Sequence, residues 1–295
     1  MAEANLQAPF ANFDPVKCAH AHLKAWVSGE HCTARHEHFS PPDLAAVYAT
    51  HDAMASDALA AELGGAAGYK QGGIGAATLP DGTPAPAVYG VLMGRDIVDE
   101  GSAAAAGLSA AHLGLFCCEA EVGFRMRAAP APAAGQAAAA AAALTEEDVW
   151  GAVGEVFLAV ELCGRRHRLA AGEAEATSLE CLGDSSCAAA VVCGKARWVP
   201  GAADCPTPAQ LAALRSRITV NGEECAAGEG AKCPLGSPVA ALAWLANHLV
   251  GRGKRLLPGD VVIGGATCKT RAWGAGDKLV VGFGELGEVS VCVSP

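Results

Sequence analysis

Three glutamates have the residue types and the spacing of a metal site. Glu119 and Glu121 lie two positions apart in the apolar segment 118–124, and Glu161 lies in a second apolar segment, 157–163. Both segments are typical of β-strands, in which side chains two residues apart point to the same face. Two adjacent carboxylates repel each other unless a cation or a proton lies between them. Ligand sets made only of carboxylate oxygens suit Mg²⁺ or Mn²⁺ better than zinc.

The same spacing allows a simpler interpretation. Glu119 and Glu121 could line the solvated face of an amphipathic strand, because a Glu-x-Glu pair is a weak signal by itself. Glu161 is flanked by Val160 and Leu162, and a lone carboxylate is costly to bury. The three residues alone leave both interpretations open.

Two further segments carry candidate catalytic side chains. Lys70 lies between the glycines of the segment 68–72, and a lysine in a dry pocket can act as a base or as a hydrogen-bond donor. Taken alone, a lysine in such a segment is more often a solvated surface residue. Asp184 lies in the segment 183–187, which does not have the Gly-x-Ser-x-Gly pattern of a nucleophilic serine. We interpret Asp184 as a turn-forming or hydrogen-bonding carboxylate.

The composition excludes several classes of protein. The 295 residues fit one large domain, or one domain with a smaller appendage, and 52% of them are hydrophobic. A net charge of −10 argues against non-specific nucleic-acid binding, which needs a basic surface. Histidines near the N-terminus fit no standard metal spacing and are interpreted as polar surface: His20, His22, His31, His36 and His38.

The cysteines and the apolar runs indicate the cellular compartment of the protein. The 13 cysteines include no Cys-x-x-Cys pair, so they indicate neither a zinc cluster nor a small disulfide scaffold. We interpret them as reduced thiols. No apolar run approaches the roughly 20 residues that span a bilayer, and the first residues lack the features of a secretory signal. The sequence therefore predicts a cytoplasmic protein that does not bind membranes.

The predicted secondary structure changes along the chain. Residues 1–65 are predicted to form a small helical N-terminal segment, and residues 66–295 a larger domain of short strands and few helices. The alanine-rich stretch 128–144 is predicted to be a loop insertion. Helices are predicted after Thr145 and after Ser237, and the Asn221-Gly222 pair predicts a β-hairpin over residues 218–225. Strands that alternate with only a few helices favour an α+β fold built on a mixed sheet or β-roll.

Taken in order, these segments resemble the fumarylacetoacetate hydrolase superfamily, specifically its branch of 2-keto-4-pentenoate hydratases and 4-oxalocrotonate decarboxylases. The resemblance runs from about residue 44 to residue 293. The matching stretches are 68–70, 89–92, 119–124, 159–162 with Arg166, 184–194, 220–222, 235–249, 259–260 and 276–277.

The resemblance implies a mixed β-sheet roll with peripheral helices, assembled into homo-oligomers. It implies that Mg²⁺ or Mn²⁺ is held by three carboxylates, which correspond to Glu119, Glu121 and Glu161. It also places the family's active-site lysine at Lys70, and we predict Asp184 as a second catalytic residue.

The chain departs from the pattern of this branch near the expected reaction site. Val88 stands where the hydratases usually carry an aspartate, and Ser185 replaces the asparagine of an Asp-Asn pair. Gly264 replaces a threonine near the substrate, and His51 replaces a helix glutamine. The metal ligands are intact, whereas the groups that would transfer protons are altered.

The resulting prediction is a metal-dependent hydro-lyase that acts on a small 2-oxo acid, most like a 2-keto-4-pentenoate hydratase of aromatic catabolism. Three alternatives are a 2-oxo acid decarboxylase or tautomerase, an acylpyruvate hydrolase, and a catalytically impaired structural homologue. The altered groups around Val88 favour the last alternative, and the complete glutamate triad argues against it.

Overall fold

The computed structural model describes residues 13–32, 38–72, 77–78, 82–132, 143–167 and 175–295. Helices within these ranges are α1 (Pro15–Ser28), α2 (Leu44–Ser56), α3 (Ala103–Ala106), α4 (Ala110–Leu113), α5 (Glu146–Gly151), α6 (Ser178–Gly183), α7 (Pro208–Ala212) and α8 (Pro238–Gly251). Strands are β1 (Ala66–Gly72), β2 (Val88–Met93), β3 (Ile97–Asp99), β4 (Leu115–Met126), β5 (Val153–Gly164), β6 (Ala188–Trp198), β7 (Arg215–Val220), β8 (Glu223–Glu229), β9 (Val261–Ile263), β10 (Cys268–Thr270), β11 (Lys278–Gly282) and β12 (Glu288–Cys292).

Eight of the strands form one mixed sheet. Seven of these strands follow the order β2-β1-β9-β4-β5-β6-β3, and the eighth, β10, pairs with β4 outside this order. The β1–β9 and β3–β6 pairs are parallel, and the other neighbours are antiparallel. Strand β9, from the C-terminal part of the chain, separates β1 from β4, so the sheet depends on contacts distant in sequence.

The long antiparallel pair β4–β5 lies in the middle of this sheet and is covered on both faces. One face contributes residues such as Val122, Phe124 and Val160 to the largest apolar cluster. The other face contributes Phe157 and Ala159 to a second cluster with strands β6 and β9. Because both faces are buried, the two strands have nearly continuous apolar sequences instead of a strict alternation.

The other four strands form a second, antiparallel sheet in the order β12-β11-β7-β8. Val220 pairs with Glu223 across a tight turn, in which Asn221 and Gly222 have φ values of 52° and 89°. Positive φ at both central positions is the requirement of the Asn-Gly hairpin turn. The hairpin predicted from the sequence is therefore confirmed.

Two helices begin at the caps that the sequence predicts. At the start of α8, the Ser237 hydroxyl accepts hydrogen bonds from the backbone N–H groups of Val239 and Ala240, and Pro238 occupies the first turn. At the start of α5, Thr145 and Asp148 form a reciprocal capping box. Both arrangements satisfy backbone donors that a helix leaves unpaired at its first turn.

The N-terminal helices pack on the edge of the large sheet. Leu23 and Trp26 of α1 and Met54 of α2 form an apolar cluster with Val91 and Met93 of β2. The helical character predicted for this part is thus present in α1 and α2, while the domain boundary between residues 65 and 66 stays a prediction.

The described residues include only part of the alanine-rich insertion predicted for 128–144. Residues 133–142 lie outside the described residues, and 128–132 are neither helix nor strand.

The interpretation of the N-terminal histidines as polar surface is wrong for two of them. His22 is fully buried and His38 is 6% exposed, because α1 packs against the large domain. His31 is half-buried, and its ring nitrogens lie 2.8 Å and 2.9 Å from the carbonyl oxygens of Arg165 and Ala111. His36 lies outside the described residues.

The α+β fold with a mixed β-sheet roll and peripheral helices, predicted from the sequence, is confirmed. None of the helices in the described ranges combines the length and the apolar character needed to cross a bilayer.

Candidate metal centre and active site

The register of β4 and β5 brings the three predicted glutamates together. Glu119 is directly opposite Glu161, and Glu121 lies two residues further along β4, opposite Ala159. All three therefore project from one face of the strand pair. One carboxylate oxygen from each lies within 4.8 Å of the others, a separation that a single ion can bridge.

Lys70 enters this cluster from strand β1. Its Nζ lies 3.0 Å and 3.1 Å from the two carboxylate oxygens of Glu161. Lys70 is 5% exposed, and Glu121 and Glu161 are fully buried. The side chain of Glu119 is 12% exposed and is the carboxylate nearest to solvent. The lysine predicted to be catalytic is thus in direct contact with Glu161, one of the predicted metal ligands.

The charges of the cluster shift the protonation of its members. Burial raises the pKa of Glu121 well above its usual range, and the neighbouring carboxylates Glu161 and Glu119 raise it further. Burial by itself would lower the pKa of Lys70, but the adjacent Glu161 carboxylate holds that pKa well above its ordinary value. Lys70 is therefore a charged ammonium, and one ammonium cannot balance three carboxylates.

The donor set fits a hard divalent cation. Glu121 Oε2 accepts a hydrogen bond of 2.7 Å from the backbone N–H of Gly265. The other oxygen of Glu121, Oε1, is buried, and no group in the described part of the chain donates a hydrogen bond to it when the carboxylate is ionised. Such an oxygen needs a proton or a cation. Three carboxylates without sulfur or imidazole suit Mg²⁺ or Mn²⁺, so Glu119, Glu121 and Glu161 fit the predicted ion.

Gly265 must be a glycine for this hydrogen bond to form. Its φ is +99°, and a Cβ at this position would lie 2.4 Å from Pro234 Cδ. The residue therefore brings its backbone N–H close to Glu121 only because it has no side chain. Gly264 directly follows β9 and precedes Gly265, so the Gly-Gly pair, which stands where the resemblance implies Thr-Gly, lies beside Glu121.

A cavity of about 400 Å³ gives access to the cluster. Its lining includes Lys70 and Glu119, and it also includes Lys232 and Lys269. Lys269 Nζ is 3.8 Å from Glu119 Oε1, and the lysine side chain is 67% exposed. Neither of these two lysines has a local sequence signature, and only the tertiary structure brings them to the cavity.

Val88 lies on the same face of the sheet as Lys70, two cross-strand pairs further along β1 and β2. On β2, Gly90 pairs with Lys70 and Val88 pairs with Gly72, and residues two positions apart share a face. Val88 is fully buried, and its Cγ2 lies 2.7 Å from where a Cβ on Gly72 would be. An apolar side chain, with no capacity for proton transfer, therefore lies on the face of the sheet that carries Lys70.

Asp184 lies outside the glutamate cluster and is held in a separate ion pair. The guanidinium Nε of Arg166 donates to Asp184 Oδ1 at 2.5 Å, and the Arg166 backbone N–H donates to Oδ2 at 2.8 Å. Burial would raise the pKa of Asp184, but Arg166, with His22 and His167, holds that pKa well below its usual range. Asp184 is therefore an ionised carboxylate engaged by Arg166, and its catalytic role stays a prediction.

The ion pair anchors a left-handed turn that packs on β2. Ser185, Ser186 and Cys187 have φ values of 49°, 57° and 62°, which non-glycine residues seldom adopt. The Ser185 hydroxyl accepts from Val91 N at 2.8 Å and donates to Val91 O at 2.6 Å. Asp184 and Ser185 thus fix the turn that lies over the strand facing Lys70.

His51 has no contact with the cluster. Its Nε2 lies 2.7 Å from the carbonyl oxygen of Leu182, and its ring packs against Tyr48 and Tyr89. Burial lowers the pKa of His51 to about 4, so the ring is neutral at physiological pH.

The buried Arg166–Asp184 pair gives a prediction about stability. Replacing Arg166 with methionine should lower the free energy of unfolding by about 3–5 kcal/mol, because it leaves a buried carboxylate without its partner. The matched control is Arg165→Met, whose guanidinium is 3.9 Å from the exposed Glu175 and should contribute about 1 kcal/mol or less. Urea unfolding followed by circular dichroism measures both. Equal small losses would contradict a stabilising role for the pair.

Among solved structures, the chain is similar to 4-oxalocrotonate decarboxylase from Pseudomonas putida G7, determined with calcium and acetate and with magnesium and adipate. Both comparisons give a TM-score of 0.73 at 20% sequence identity. They cover 95% of this chain and 96% and 97% of the decarboxylase chains. Similarity at this level of identity establishes the fold.

Two curated proteins match a shorter part of the sequence. The chain is 43% identical over 63 residues to 2-keto-4-pentenoate hydratase 1 of Dechloromonas aromatica (strain RCB) and 45% identical over 56 residues to 2-keto-4-pentenoate hydratase of Burkholderia vietnamiensis (strain G4 / LMG 22486). The matches cover 21% and 19% of this chain and only 24% and 21% of the relatives. No protein-family profile matches the sequence.

The fold is therefore the mixed β-roll of the decarboxylase. Together with the partial similarity to the hydratases, it confirms the resemblance of this chain to the fumarylacetoacetate hydrolase superfamily.

Proposed function

We propose that the chain is a divalent-metal-dependent lyase that acts on a small 2-oxo acid, most like a 2-keto-4-pentenoate hydratase. The observation that carries this proposal is the group of Glu119, Glu121 and Glu161 with Lys70 in contact, beside a cavity. The partial similarity to hydratases supports the choice of reaction. The metal would be Mg²⁺ or Mn²⁺, consistent with the oxygen-only donor set.

A bound divalent ion supplies a Lewis acid for the carboxylate and 2-oxo group of such a substrate. The protein supplies the remaining charges. Lys70, a charged ammonium beside Glu161, is oriented to donate a hydrogen bond or a proton to an oxygen on which negative charge develops. Glu161 holds Lys70 in place, and the burial of both strengthens their electrostatic effect.

The remaining groups shape the cavity. The backbone N–H of Gly265 keeps the Glu121 carboxylate oriented towards the cluster. Lys232 and Lys269 line the cavity, where they attract an anionic substrate. Asp184, held by Arg166, would act as a positioning residue for the turn over β2.

A second candidate reaction is decarboxylation or tautomerisation of a 2-oxo acid, and Val88 is the observation that favours it. Valine cannot take a proton or orient water, so water addition lacks a neighbouring acid–base group. Reactions that need only enolate stabilisation and Lys70 do not require one. Hydrolysis of acylpyruvates uses the same polarised carbonyl and is tested alongside.

The deciding experiment is a side-by-side assay with Mg²⁺ and Mn²⁺ on 2-hydroxypentadienoate, oxaloacetate and acylpyruvates. The presence of Val88 predicts that tautomerisation or decarboxylation is at least as fast as hydration, whereas a plain hydratase predicts that hydration is the faster reaction. Efficient hydration, with kcat/KM of about 10⁴ M⁻¹s⁻¹ or more and no competing reaction, would contradict the role assigned to Val88 and leave the plain hydratase. Metal binding without turnover of any substrate would support an impaired structural homologue.

The variant Val88→Asp sharpens this test, with Val88→Asn as its matched control. Both introduce a polar side chain of similar size at a buried position, but only aspartate can exchange a proton. We expect the ratio of hydration to decarboxylation to rise by about tenfold or more in Val88→Asp and to stay near wild type in Val88→Asn. Equal ratios in the two variants would show that the aspartate has no acid–base role here.

Assembly into homo-oligomers and a cytoplasmic location are proposals that rest on the resemblance and the composition. Light scattering of the purified chain measures the assembly state.

A further inference from the structure

Two cysteines lie next to the glutamate cluster on the same strand pair. Cys117 of β4 is directly opposite Cys163 of β5, and the next matching positions along the ladder are Glu119 and Glu161. Side chains two residues apart share a face, so the pair of thiols and the pair of carboxylates project side by side. We call Cys117 and Cys163 the thiol pair.

The thiol pair has the geometry of metal ligands. The two Sγ atoms and one carboxylate oxygen of Glu119 all lie within 4.8 Å of one another. In a tetrahedral zinc site, with Zn–S bonds of about 2.3 Å, the two sulfurs are about 3.8 Å apart. Cys117 and Cys163 are 3% and 4% exposed and belong to one buried cluster. Only small side-chain shifts are therefore needed to surround an ion.

We propose that Cys117, Cys163 and Glu119 form a second metal site, for a thiophilic divalent ion such as Zn²⁺ or Cd²⁺. Thiolates select these softer ions, whereas an all-carboxylate site selects Mg²⁺ or Mn²⁺. On binding, each thiol releases its proton to solvent and the sulfur becomes a ligand. A water molecule completes the four-coordinate shell.

The two sites share Glu119 and therefore compete. A soft ion bound to the thiol pair withdraws the Glu119 carboxylate from Glu121 and Glu161, and it adds positive charge beside the hard-ion site. Occupancy by Zn²⁺ or Cd²⁺ thus weakens Mg²⁺ binding, and excess Mg²⁺ weakens Cd²⁺ binding by the same factor. The entry path is the cavity lined by Glu119.

A second pair of cysteines in the same region provides the matched control. Cys187 belongs to the same buried cluster as the thiol pair, and Cys181 packs against that cluster. The Cys187 thiol donates to the carbonyl oxygen of Cys181 at 3.8 Å. Within the described ranges, no third histidine, cysteine or carboxylate ligand atom completes a group with them. Loss of Cys181 therefore removes a nearby thiol while leaving the proposed site complete.

The test uses the full chain, free of metal and reduced with a phosphine, titrated with Cd²⁺ alone. Thiolate-to-cadmium charge-transfer absorption reports sulfur ligation without any assay of activity. We expect saturable absorption in the wild type. Cys117→Ser and Cys163→Ser should each lower the Cd²⁺ affinity by about 100-fold or more, since loss of even an indirect partner costs 10–100-fold. Cys181→Ser and the exposed Cys225→Ser should retain the wild-type affinity for this site.

Three results would overturn the proposal. These are no charge-transfer absorption in the wild type, absorption that survives in Cys117→Ser and Cys163→Ser, and absorption lost only in Cys181→Ser. Should a serine variant fail to fold, X-ray absorption of the zinc-loaded wild type decides. Two sulfur neighbours at about 2.3 Å support the site, and a shell of oxygen and nitrogen alone excludes it. Because the readout needs no substrate, it is independent of the proposed catalytic function.

Discussion

Replacing Glu121 with glutamine is expected to remove metal-dependent turnover, lowering Mg²⁺ affinity or activity by at least about 100-fold. Glutamine keeps the size of the side chain but removes the ionised oxygen that has no hydrogen-bond donor in the described structure. Calorimetric titration with Mg²⁺ and Mn²⁺ measures the affinity, and the substrate panel measures turnover. The matched control is Glu155→Gln on the paired strand β5, whose carboxylate is exposed and pairs with Arg125 at 3.4 Å.

The same substitution should stabilise the metal-free protein at neutral pH. The pKa of Glu121 is raised in the folded state. The protonated side chain therefore makes its full contribution to stability at low pH. That contribution is lost as the pH rises above the unfolded-state pKa of 4.5 and through the folded-state pKa. Metal-free wild type should therefore lose stability over this rise, and Glu121→Gln should lose less. Chemical unfolding at several pH values measures both.

Identical pH profiles for wild type and Glu121→Gln would contradict the buried, repulsive cluster. Unchanged Mg²⁺ affinity in the variant would contradict the assignment of Glu121 as a ligand. The Glu155→Gln control should leave affinity, turnover and the pH profile near wild type, because its interactions are exposed to solvent.

Replacing Lys70 with methionine is expected to lower kcat by about 10²–10⁴-fold, the range for a proton-transferring group. Metal affinity should be unchanged or tighter, since removal of the ammonium leaves the three carboxylates with more negative charge. Methionine preserves most of the apolar stem while removing the charge that contacts Glu161. A full kinetic analysis with separate metal titrations distinguishes these effects.

Lys70→Met should also destabilise the metal-free protein, by about 3–5 kcal/mol, because Glu161 loses its buried partner. Saturating Mg²⁺ should restore much of this loss, since the ion provides a replacement charge. The matched control is Lys269→Met, which removes an exposed lysine near Glu119 and should change kcat far less. Wild-type turnover in Lys70→Met would remove Lys70 from the mechanism.

Local rules determined several features directly from the sequence. The two-residue period of a strand placed Glu119 and Glu121 on one face, and the structure shows them there. The Asn221-Gly222 turn and the caps at Thr145 and Ser237 also followed from the sequence. These features depend on neighbouring residues only, so the chain specifies them before any tertiary contact forms.

The tertiary structure alone decided which distant groups meet. The sequence did not predict that Arg166 holds Asp184, that β10 pairs with β4, or that His22 is buried. Each depends on the packing of segments far apart in the chain, and an apolar pattern does not specify its partner.

The candidate site combines both kinds of information. The sequence supplied the three glutamates and, through the resemblance, Lys70. The register of β4 against β5 then set Glu119 opposite Glu161 and Cys117 opposite Cys163. If the pairing of β4 with β5 shifted by one residue, the glutamate and cysteine of one strand would move to the other face of the sheet. The buried apolar residues on both faces fix that register, and this long-range packing is the physical reason why the sequence by itself names the ligands but not their partners.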